Sequence, residues 1–271
     1  MNTFRYQNKN IFYRKEGKGK PVILVHGFGE NGNIWNEQVD VLKENNLLII
    51  PDLPGSGNSE MLDGTAFIKD YAEVIRALAD EAIFQDKDID DEQFSLIGHS
   101  MGGYITVAYA EKYPESLSSF GFFHSSAFAD SEEKKETRKK GIDFIKNHGS
   151  IAFLETIAAN LFSPKNQKDR PNLINQLIDL GKTIQPEALI QYYEAMMARP
   201  DRSLVLESFS RPVLLIAGKY DTAIPLEALQ QQFKMPSIAS VHILQESGHM
   251  GMWEETELSI SILKNFLNQL N

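Results

Sequence analysis

The stretch FSLIGHSMGGYITVAYA, residues 94–110, decides the fold. Its first half is a short apolar run, and a helical pattern begins directly after it. Gly98, Ser100 and Gly102 at the junction match G-x-S-x-G, which between a strand and a helix predicts a nucleophile elbow. A strained backbone there lifts the serine hydroxyl above the sheet, and the glycines are needed because a Cβ would clash where strand and helix approach. The stretch therefore predicts a nucleophilic serine at the end of a buried strand.

Short apolar runs recur along the chain and predict a parallel sheet. They are too short for helices, and continuous apolar runs are typical of strands that are buried on both faces. Besides 94–100, the runs are 21–27, 47–55, 117–124, 212–221 and 240–246. Segments with helical spacing, such as 66–84, separate several of them, so the order of elements predicts right-handed crossovers and a doubly wound α/β fold. Residues 3–6 and 11–15 predict an antiparallel hairpin at the sheet edge.

The β–α alternation stops between residues 128 and 200, where four helical patterns follow one another without a strand. This segment predicts an inserted helical cap, and residues 1–127 and 201–271 then form the core domain. The cap segment has a net charge of +1, whereas the remainder has −11. The run EEKKETRKK (132–140) is interpreted as a solvated helix face with opposite charges paired at i,i+4.

The composition excludes several classes of protein. The chain has 271 residues, of which 42% are hydrophobic and 24% charged, and these values exclude a disordered or fibrous protein. It has no cysteine, and His and carboxylates do not occur at metal-ligand spacing, so no metal or cofactor is expected. The net charge of −10 argues against a nucleic-acid partner. Because no membrane span or signal peptide is visible, we expect a soluble cytoplasmic protein, of an oligomeric state that the sequence does not indicate.

A serine nucleophile needs a general base that an acid orients. His249 is predicted to be the base, because it follows the last strand pattern on the carboxyl side of the sheet, where ligands bind. Asp221 ends the preceding strand pattern and is predicted to be the acid, which completes the chain order Ser–Asp–His. Asp52 is interpreted as part of a turn. His26 and His99 are expected to support loop structure.

Acyl transfer also needs two N–H donors aimed at the developing oxyanion. The backbone amides of Met101, directly after the serine, and of Phe28, in the glycine-rich loop HGFG, are predicted to form this oxyanion hole. Further residues near the site in sequence are candidates for a substrate pocket, with core packing as the alternative interpretation for each. These candidates are Trp35, His124, Phe128, Tyr192, Met196, Met250 and Trp253.

A resemblance to a known superfamily rests on five motifs, namely HGFG (26–29), DLPGSGNS (52–59), GHSMGG (98–103), GKYDTAIP (218–225) and ESGHMGMW (246–253). Together they resemble the α/β-hydrolase superfamily, in its cap-bearing, esterase-like branch. The resemblance covers the chain except for the helical insert. It implies an eight-stranded, mostly parallel sheet with helices on both faces and an antiparallel second strand. It also implies Ser100, Asp221 and His249 as the catalytic triad, with the amides of Phe28 and Met101 as the oxyanion hole.

The resemblance is weaker to several subfamilies. Haloalkane dehalogenases and epoxide hydrolases place Asp at the elbow, where this chain has Ser100. Carbon–carbon bond hydrolases usually carry Asn before that serine, where this chain has His99. The HGFG loop also differs from the HGGG type that is associated with bulky tertiary-alcohol esters.

The sequence thus predicts a serine hydrolase that cleaves small neutral carboxylic esters through an acyl-enzyme on Ser100. Neutral esters are expected because the charge of the core would repel an anionic acyl group, and because Arg199 is the only basic residue placed near the apolar stripe of the last cap helix. One alternative is a hydrolase-fold ligand sensor that binds or slowly cleaves a signal and recruits a protein partner. A thioesterase, lactonase or carbon–carbon bond hydrolase would use the same triad.

Overall fold

The structure is a computed structural model that describes residues 2–86 and 93–269. The described residues contain one sheet of eight strands, which are β1 (Asn2–Tyr6), β2 (Lys9–Glu16), β3 (Lys20–Val25), β4 (Asn46–Pro51), β5 (Phe94–His99), β6 (Leu117–Phe123), β7 (Val213–Gly218) and β8 (Ala239–Leu244). Their order across the sheet is β1-β2-β4-β3-β5-β6-β7-β8. Strand β2 is antiparallel to both neighbours, and every later pair is parallel. This confirms the predicted eight-stranded sheet and its edge hairpin.

The central strands are buried along their whole length. All six residues of β4, of β5 and of β7 are buried, which is what their continuous apolar runs predict for strands covered on both faces. Because β3, β5, β6 and β7 run parallel to one another, their carboxyl ends lie at one edge of the sheet. That edge is where an open parallel sheet places its ligand site.

Helices cover both faces of this sheet. They are α1 (Asn36–Leu42), α2 (Ile68–Ala79), α3 (Met101–Lys112), α4 (Glu132–Ile157), α5 (Pro164–Asp169), α6 (Asn172–Gly181), α7 (Pro186–Met197), α8 (Ser203–Ser208), α9 (Leu226–Leu229), α10 (Gly251–Glu254) and α11 (Thr256–Asn268). Leu78 of α2 and Tyr109 of α3 belong to one hydrophobic cluster, and Val39 of α1 and Leu263 of α11 belong to a second cluster. Helices α1 and α11 are additional to the predicted ones. Among the described helices, none is both long and apolar enough to cross a membrane.

The chain between β6 and β7 is helical, as the sequence predicts. Helix α4 breaks at Gly149, whose φ of 85° is not helical, so α4 corresponds to two of the predicted helices. Helices α6 and α7 are the other two, and the short α5 is additional. This helical insert packs on the loops at the carboxyl ends of the strands. The Tyr192 hydroxyl donates to the carbonyl oxygen of Pro54 at 2.6 Å, and the backbone N–H of His249 donates to the carbonyl oxygen of Leu161 at 2.7 Å.

Candidate active site

Ser100 lies at the sharp turn between β5 and α3. Its φ of 52° and ψ of −117° fall outside the regions that a residue with a side chain ordinarily adopts. A Cβ on Gly98 would lie 2.2 Å from main-chain atoms of Gly102, and a Cβ on Gly102 would lie 2.5 Å from the carbonyl oxygen of Val25. The need for glycine at both positions is therefore confirmed. The Ser125 hydroxyl donates to the Ser100 carbonyl oxygen at 2.7 Å and so stabilises the turn.

His249 and Asp221, which lie far apart in sequence, are in direct contact. Nδ1 of His249 lies 2.7 Å from Oδ2 of Asp221, and both side chains are buried. The other carboxylate oxygen accepts the backbone N–H groups of Ala223 at 2.9 Å and Ile224 at 2.8 Å, which fixes the plane of the carboxylate. Burial raises the pKa of Asp221, but His249 and His124 outweigh burial and hold that pKa well below its usual range. Asp221 is therefore ionised at neutral pH.

His124 lies against the same carboxylate, at the end of β6. Its Nδ1 is 3.3 Å from Oδ2 of Asp221, and its side chain is completely buried. Burial lowers the pKa of His124 to about 4 despite the attraction of Asp221, so the ring is neutral at neutral pH. Potential ligand atoms of His124, Asp221 and His249 all lie within 4.8 Å of one another. Because the carboxylate already accepts two amide N–H groups and is hydrogen-bonded to His249, we interpret the group as a network centred on Asp221 and not as a cation site.

Ser100 and His249 line the same cavity, of about 130 Å³. The described contacts include no direct hydrogen bond between the Ser100 hydroxyl and His249. Such bonds are often long in a free enzyme and shorten when substrate binds. The helical insert contributes six residues to the lining of this cavity, namely Lys134, Arg138, Ile157, Leu161, Tyr193 and Met196.

The two predicted oxyanion donors are the backbone amides of Met101, directly after Ser100, and of Phe28, which lines the cavity with Ser100. Met101 is the first residue of α3, so its N–H is one of the helix-terminal donors that the helix itself cannot satisfy. Phe28 lines the cavity, and its ring stacks on Tyr193 with centroids 4.3 Å apart. In the part of the chain that the structure describes, neither amide has a hydrogen-bond acceptor. Both donors are therefore available to an oxygen of a bound substrate.

A second buried carboxylate–histidine pair lies beside the elbow. Nδ1 of His99 is 3.0 Å from Oε2 of Glu30, and this oxygen also accepts the backbone N–H of Gly27 at 2.7 Å. Nε2 of His99 is 3.0 Å from the carbonyl oxygen of His249. Both ring nitrogens face an acceptor, so both contacts are hydrogen bonds only when the ring carries two protons. We therefore assign His99 as an imidazolium.

The electrostatics of this pair agree with that assignment. Burial alone lowers the pKa of His99, but the charge of Glu30 and its hydrogen bond outweigh burial and raise that pKa. Burial alone would raise the pKa of Glu30, but His99 and the Gly27 amide outweigh burial and lower that pKa. The expectation that His99 supports loop structure is thus confirmed. Glu30 was not found from the sequence, because nothing in HGFGE distinguishes it from an exposed loop residue.

Asp52 and His26 hold loops, as predicted. Asp52 accepts the backbone N–H of Gly32 at 2.9 Å and of Asn58 at 3.0 Å. Nε2 of His26 accepts the backbone N–H of Leu53 at 2.8 Å. Neither side chain lines the cavity.

Of the predicted pocket residues, Met196 lines the cavity and the other six do not. Trp35, Met250 and Trp253 instead belong to the hydrophobic cluster beneath α1 and α11. Tyr192 contacts the loop after β4, where its hydroxyl meets that of Ser56 at 2.9 Å. The prediction that these four residues line a substrate pocket is therefore wrong. Their apolar surface is used in core packing, which was the alternative interpretation for each.

The remaining two pocket candidates lie in the chain that leaves β6. His124 lies against the carboxylate of Asp221. The backbone N–H of Phe128 donates to the Ser126 hydroxyl at 3.1 Å. Neither side chain lines the cavity. His124 and Phe128 are close to the site in sequence, but the chain after β6 turns their side chains away from the cavity lining.

Basic side chains at the cavity are the main feature that sequence reasoning missed. Lys134 and Arg138 line the cavity, and they belong to the run 132–140 that was interpreted as a solvated face. They are four residues apart, so they share one face of α4. Arg199 is therefore not the only basic residue near the apolar stripe. It is buried, its guanidinium lies 3.7 Å from the ring centre of Tyr104, and it pairs with Asp130 at 2.9 Å.

Known proteins with this fold include esterases. The sequence model of the α/β-hydrolase fold family matches residues 20–143. The pimeloyl-acyl-carrier-protein methyl ester esterase of Aliivibrio fischeri is 23% identical over 266 residues, which cover 96% of this chain and 98% of the relative. A solved thermophilic esterase from Thermogutta terrifontis, with malate bound, superposes with a TM-score of 0.90 at 25% identity, over 99% of this chain and 97% of the esterase. The enol-lactonase of Burkholderia xenovorans has a TM-score of 0.88 at 19% identity, over 98% of this chain and 100% of the lactonase.

The sheet topology and the likeness to solved structures show that this chain has the α/β-hydrolase fold. Among proteins with this fold, it is similar to esterases.

Proposed function

We propose that this protein is a serine hydrolase that cleaves small carboxylic esters through an acyl-enzyme on Ser100. The observation that carries the proposal is the contact of 2.7 Å between His249 and Asp221, in a cavity that His249 shares with Ser100. The strained backbone of Ser100 and the two free amides of Phe28 and Met101 support the same reaction. These are the nucleophile, base, orienting acid and oxyanion donors that acyl transfer requires.

In the acylation step, Oγ of Ser100 attacks the acyl carbon and its proton passes to Nε2 of His249. Nδ1–H of His249 donates to Asp221, which sets the tautomer that leaves Nε2 free to accept. The ionised carboxylate then stabilises the imidazolium that forms. The carbonyl oxygen becomes an oxyanion between the amides of Phe28 and Met101. His249 gives its proton to the leaving alkoxide, so an alcohol departs and the acyl group stays on Ser100.

In the deacylation step, a water molecule takes the place of the alcohol. His249 removes a proton from the water as the water oxygen attacks the acyl carbon. Collapse of the second tetrahedral intermediate returns the proton to Ser100 and releases the carboxylic acid. The cycle is complete without an external reductant, oxidant or metal ion.

We propose that residues 128–200 act as a cap domain on a core formed by residues 1–127 and 201–271. Six side chains of the insert line the cavity, and the Leu161 carbonyl oxygen accepts the backbone N–H of His249. The insert therefore bounds the space available to a substrate and touches the loop of the base. Water exclusion by such a cover strengthens the electrostatic contacts inside the site.

Turnover of a panel of activated esters and thioesters of varied acyl length tests the proposal. The expected result is repeated turnover of at least one carboxylic ester, at ordinary rates of about 1–10³ per second. Release of about one equivalent of alcohol followed by arrest would instead indicate a ligand sensor that captures its signal. Turnover confined to thioesters would keep the mechanism and change the bond that is cleaved. No covalent acylation and no turnover of any member would overturn the proposal.

A further inference from the structure

Lys134 reaches the cavity without a carboxylate partner. Its Nζ donates to the backbone carbonyl oxygen of Ala223 at 2.8 Å, and both residues line the cavity. No carboxylate of the described residues lies within ion-pair distance of this ammonium. An ammonium has three N–H donors, so at least one remains for a ligand in the cavity.

The neighbouring charges add to that of Lys134. Arg138 pairs with Asp130 through Nε at 2.7 Å, and Arg199 pairs with the same carboxylate at 2.9 Å. The side chain of Asp130 is completely buried between the two guanidinium groups. Two guanidinium groups therefore share one carboxylate and Lys134 has none among the described residues, so the local charge is positive even though the whole protein is acidic.

The other carboxylates near the cavity do not cancel this charge. Glu30 lines the cavity, but its Oε2 accepts from His99 and from the Gly27 amide. Asp221 is bound to His249 and to two backbone amides. Each of these carboxylates has its own donors on the core side of the site. The cationic end lies on the insert side, where Lys134 and Arg138 project from α4.

Tyr104, which also lines the cavity, reports the sign of the field there. Burial raises the pKa of Tyr104, but Arg199, Lys134 and Arg138 outweigh burial and lower that pKa. The other deeply buried tyrosines behave in the opposite way, and burial raises the pKa of Tyr193 to about 12. A negative charge is therefore stabilised at the Tyr104 position in the cavity.

We propose that Lys134, supported by Arg138, forms a subsite for a carboxylate carried by the substrate, so that the preferred esters are anionic. This inference rests on the proposed ester hydrolysis and specifies its substrate class. It replaces the expectation of neutral esters, one premise of which was that Arg199 is the only basic residue near the apolar stripe of the last cap helix. The carboxylate belongs either to the acyl chain or to the alcohol part, and the two positions are distinguished by experiment.

The experiment compares two pairs of esters that match in chain length. Monoethyl adipate against ethyl hexanoate places the carboxylate on the acyl side, and the hexanoyl ester of 3-hydroxypropanoic acid against propyl hexanoate places it on the alcohol side. We expect kcat/KM to favour the anionic ester in one pair by about tenfold or more, the gain of a charge-assisted hydrogen bond. Equal or lower kcat/KM for the anionic ester in both pairs would overturn the subsite.

The variant Lys134→Met separates a subsite from a structural role. We expect it to lower kcat/KM for the preferred anionic ester by roughly tenfold to a hundredfold and to leave the neutral partner unchanged. Equal losses for both esters would show that Lys134 only ties the insert to Ala223, and would overturn the proposal. Lys139→Met is the matched control, because Lys139 lies on the same helix, pairs with Glu136 at 3.4 Å and is exposed. Lys139→Met should leave kcat/KM unchanged for both the anionic and the neutral ester.

A binding measurement keeps failure of the subsite distinct from failure of the proposed function. Calorimetry of Ser100→Ala with monoethyl adipate and the hydroxypropanoate ester needs no turnover. If the wild type hydrolyses none of the four esters, the hydrolysis proposal fails on these substrates. Binding of an anionic ester that Lys134→Met abolishes in the Ser100→Ala background then still supports the subsite. Absence of binding, or binding that Lys134→Met leaves unchanged, overturns it.

Discussion

Nε2 of His99 lies 3.0 Å from the backbone carbonyl oxygen of His249, so the residue beside the proposed nucleophile holds the main chain of the proposed base. The other side of the same ring is paired with Glu30, which binds the amide of Gly27. One buried ion pair therefore connects the elbow, the loop that contains Gly27 and the loop that contains His249. Its contribution is to the relative positions of three loops and not to proton transfer.

Glu30→Gln should destabilise the protein in a pH-dependent way. The pKa of Glu30 is lowered by folding, so its contribution is present above about pH 4.3 and is lost on further acidification. The pKa of His99 is raised, so its contribution is present below about pH 6.5 and is lost as the pH rises through the folded value. The difference from wild type should be largest between about pH 5 and 6.5, at roughly 3 kcal/mol. Urea unfolding at pH 6 and pH 9 measures it, and an equal difference at both would contradict the ion pair.

Asp221→Asn should lower kcat by about 10⁴, because an amide in place of the carboxylate favours the wrong tautomer of His249. Asp52→Asn is the comparison, since Asp52 also follows a strand but binds the amides of Gly32 and Asn58. It should lower the melting temperature with little change in kcat. Steady-state kinetics and thermal unfolding of both variants give the answer. The reverse pattern would move the acid to Asp52.

Activity should fall on acidification, because the base must be neutral to accept the Ser100 proton. Asp221 adds no second ionisation, since His249 and His124 overcome burial and hold its pKa well below the usual range. Burial lowers the pKa of His124 to about 4, so His124 becomes charged only at the acidic end. The measurement is kcat/KM against pH. A flat profile between about pH 5 and 8 would count against a histidine base.

Gly98→Ala should destabilise the elbow by about 1–3 kcal/mol, because the new Cβ meets main-chain atoms of Gly102 at 2.2 Å and the backbone has to move. Gly64→Ala is a suitable control, since its Cβ meets nothing within 4 Å and only its φ of 67° is unfavourable. Both changes are read by thermal unfolding and by kcat. Gly98→Ala should impair both readouts, whereas Gly64→Ala should affect stability alone. Wild-type activity in Gly98→Ala would contradict the geometry of the elbow.

The parts of the fold that local pattern determines were predictable from the sequence. Strands buried on both faces need continuous apolar runs, which is why the runs 21–27 and 94–100 correspond to β3 and β5. The backbone restrictions of the elbow leave a similar local signal at Gly98 and Gly102. In each case the physical requirement acts on consecutive residues, so the sequence records it directly.

The cavity lining was not predictable, because it depends on which side of an element faces the site. Lys134 and Lys139 belong to the same charged run, and only the packing of α4 directs the first to the cavity and the second to solvent. Trp35 is a residue type that often lines pockets, but it packs in the core with residues of α1 and of the sheet. Contacts such as that of His124 with Asp221 join residues that follow separate strands. Sequence spacing carries no signal for such pairs.

The most direct test of the central role of Ser100 is the turnover of a hydrolysed ester by Ser100→Ala, compared with wild type at equal thermal stability. Removal of the nucleophilic hydroxyl should lower kcat by an amount on the order of 10⁶, and the remaining rate should reflect the oxyanion hole and binding alone. His249→Ala should have a similar effect, because the two groups act as a unit. Turnover by Ser100→Ala near the wild-type rate would contradict the nucleophile and the mechanism with it.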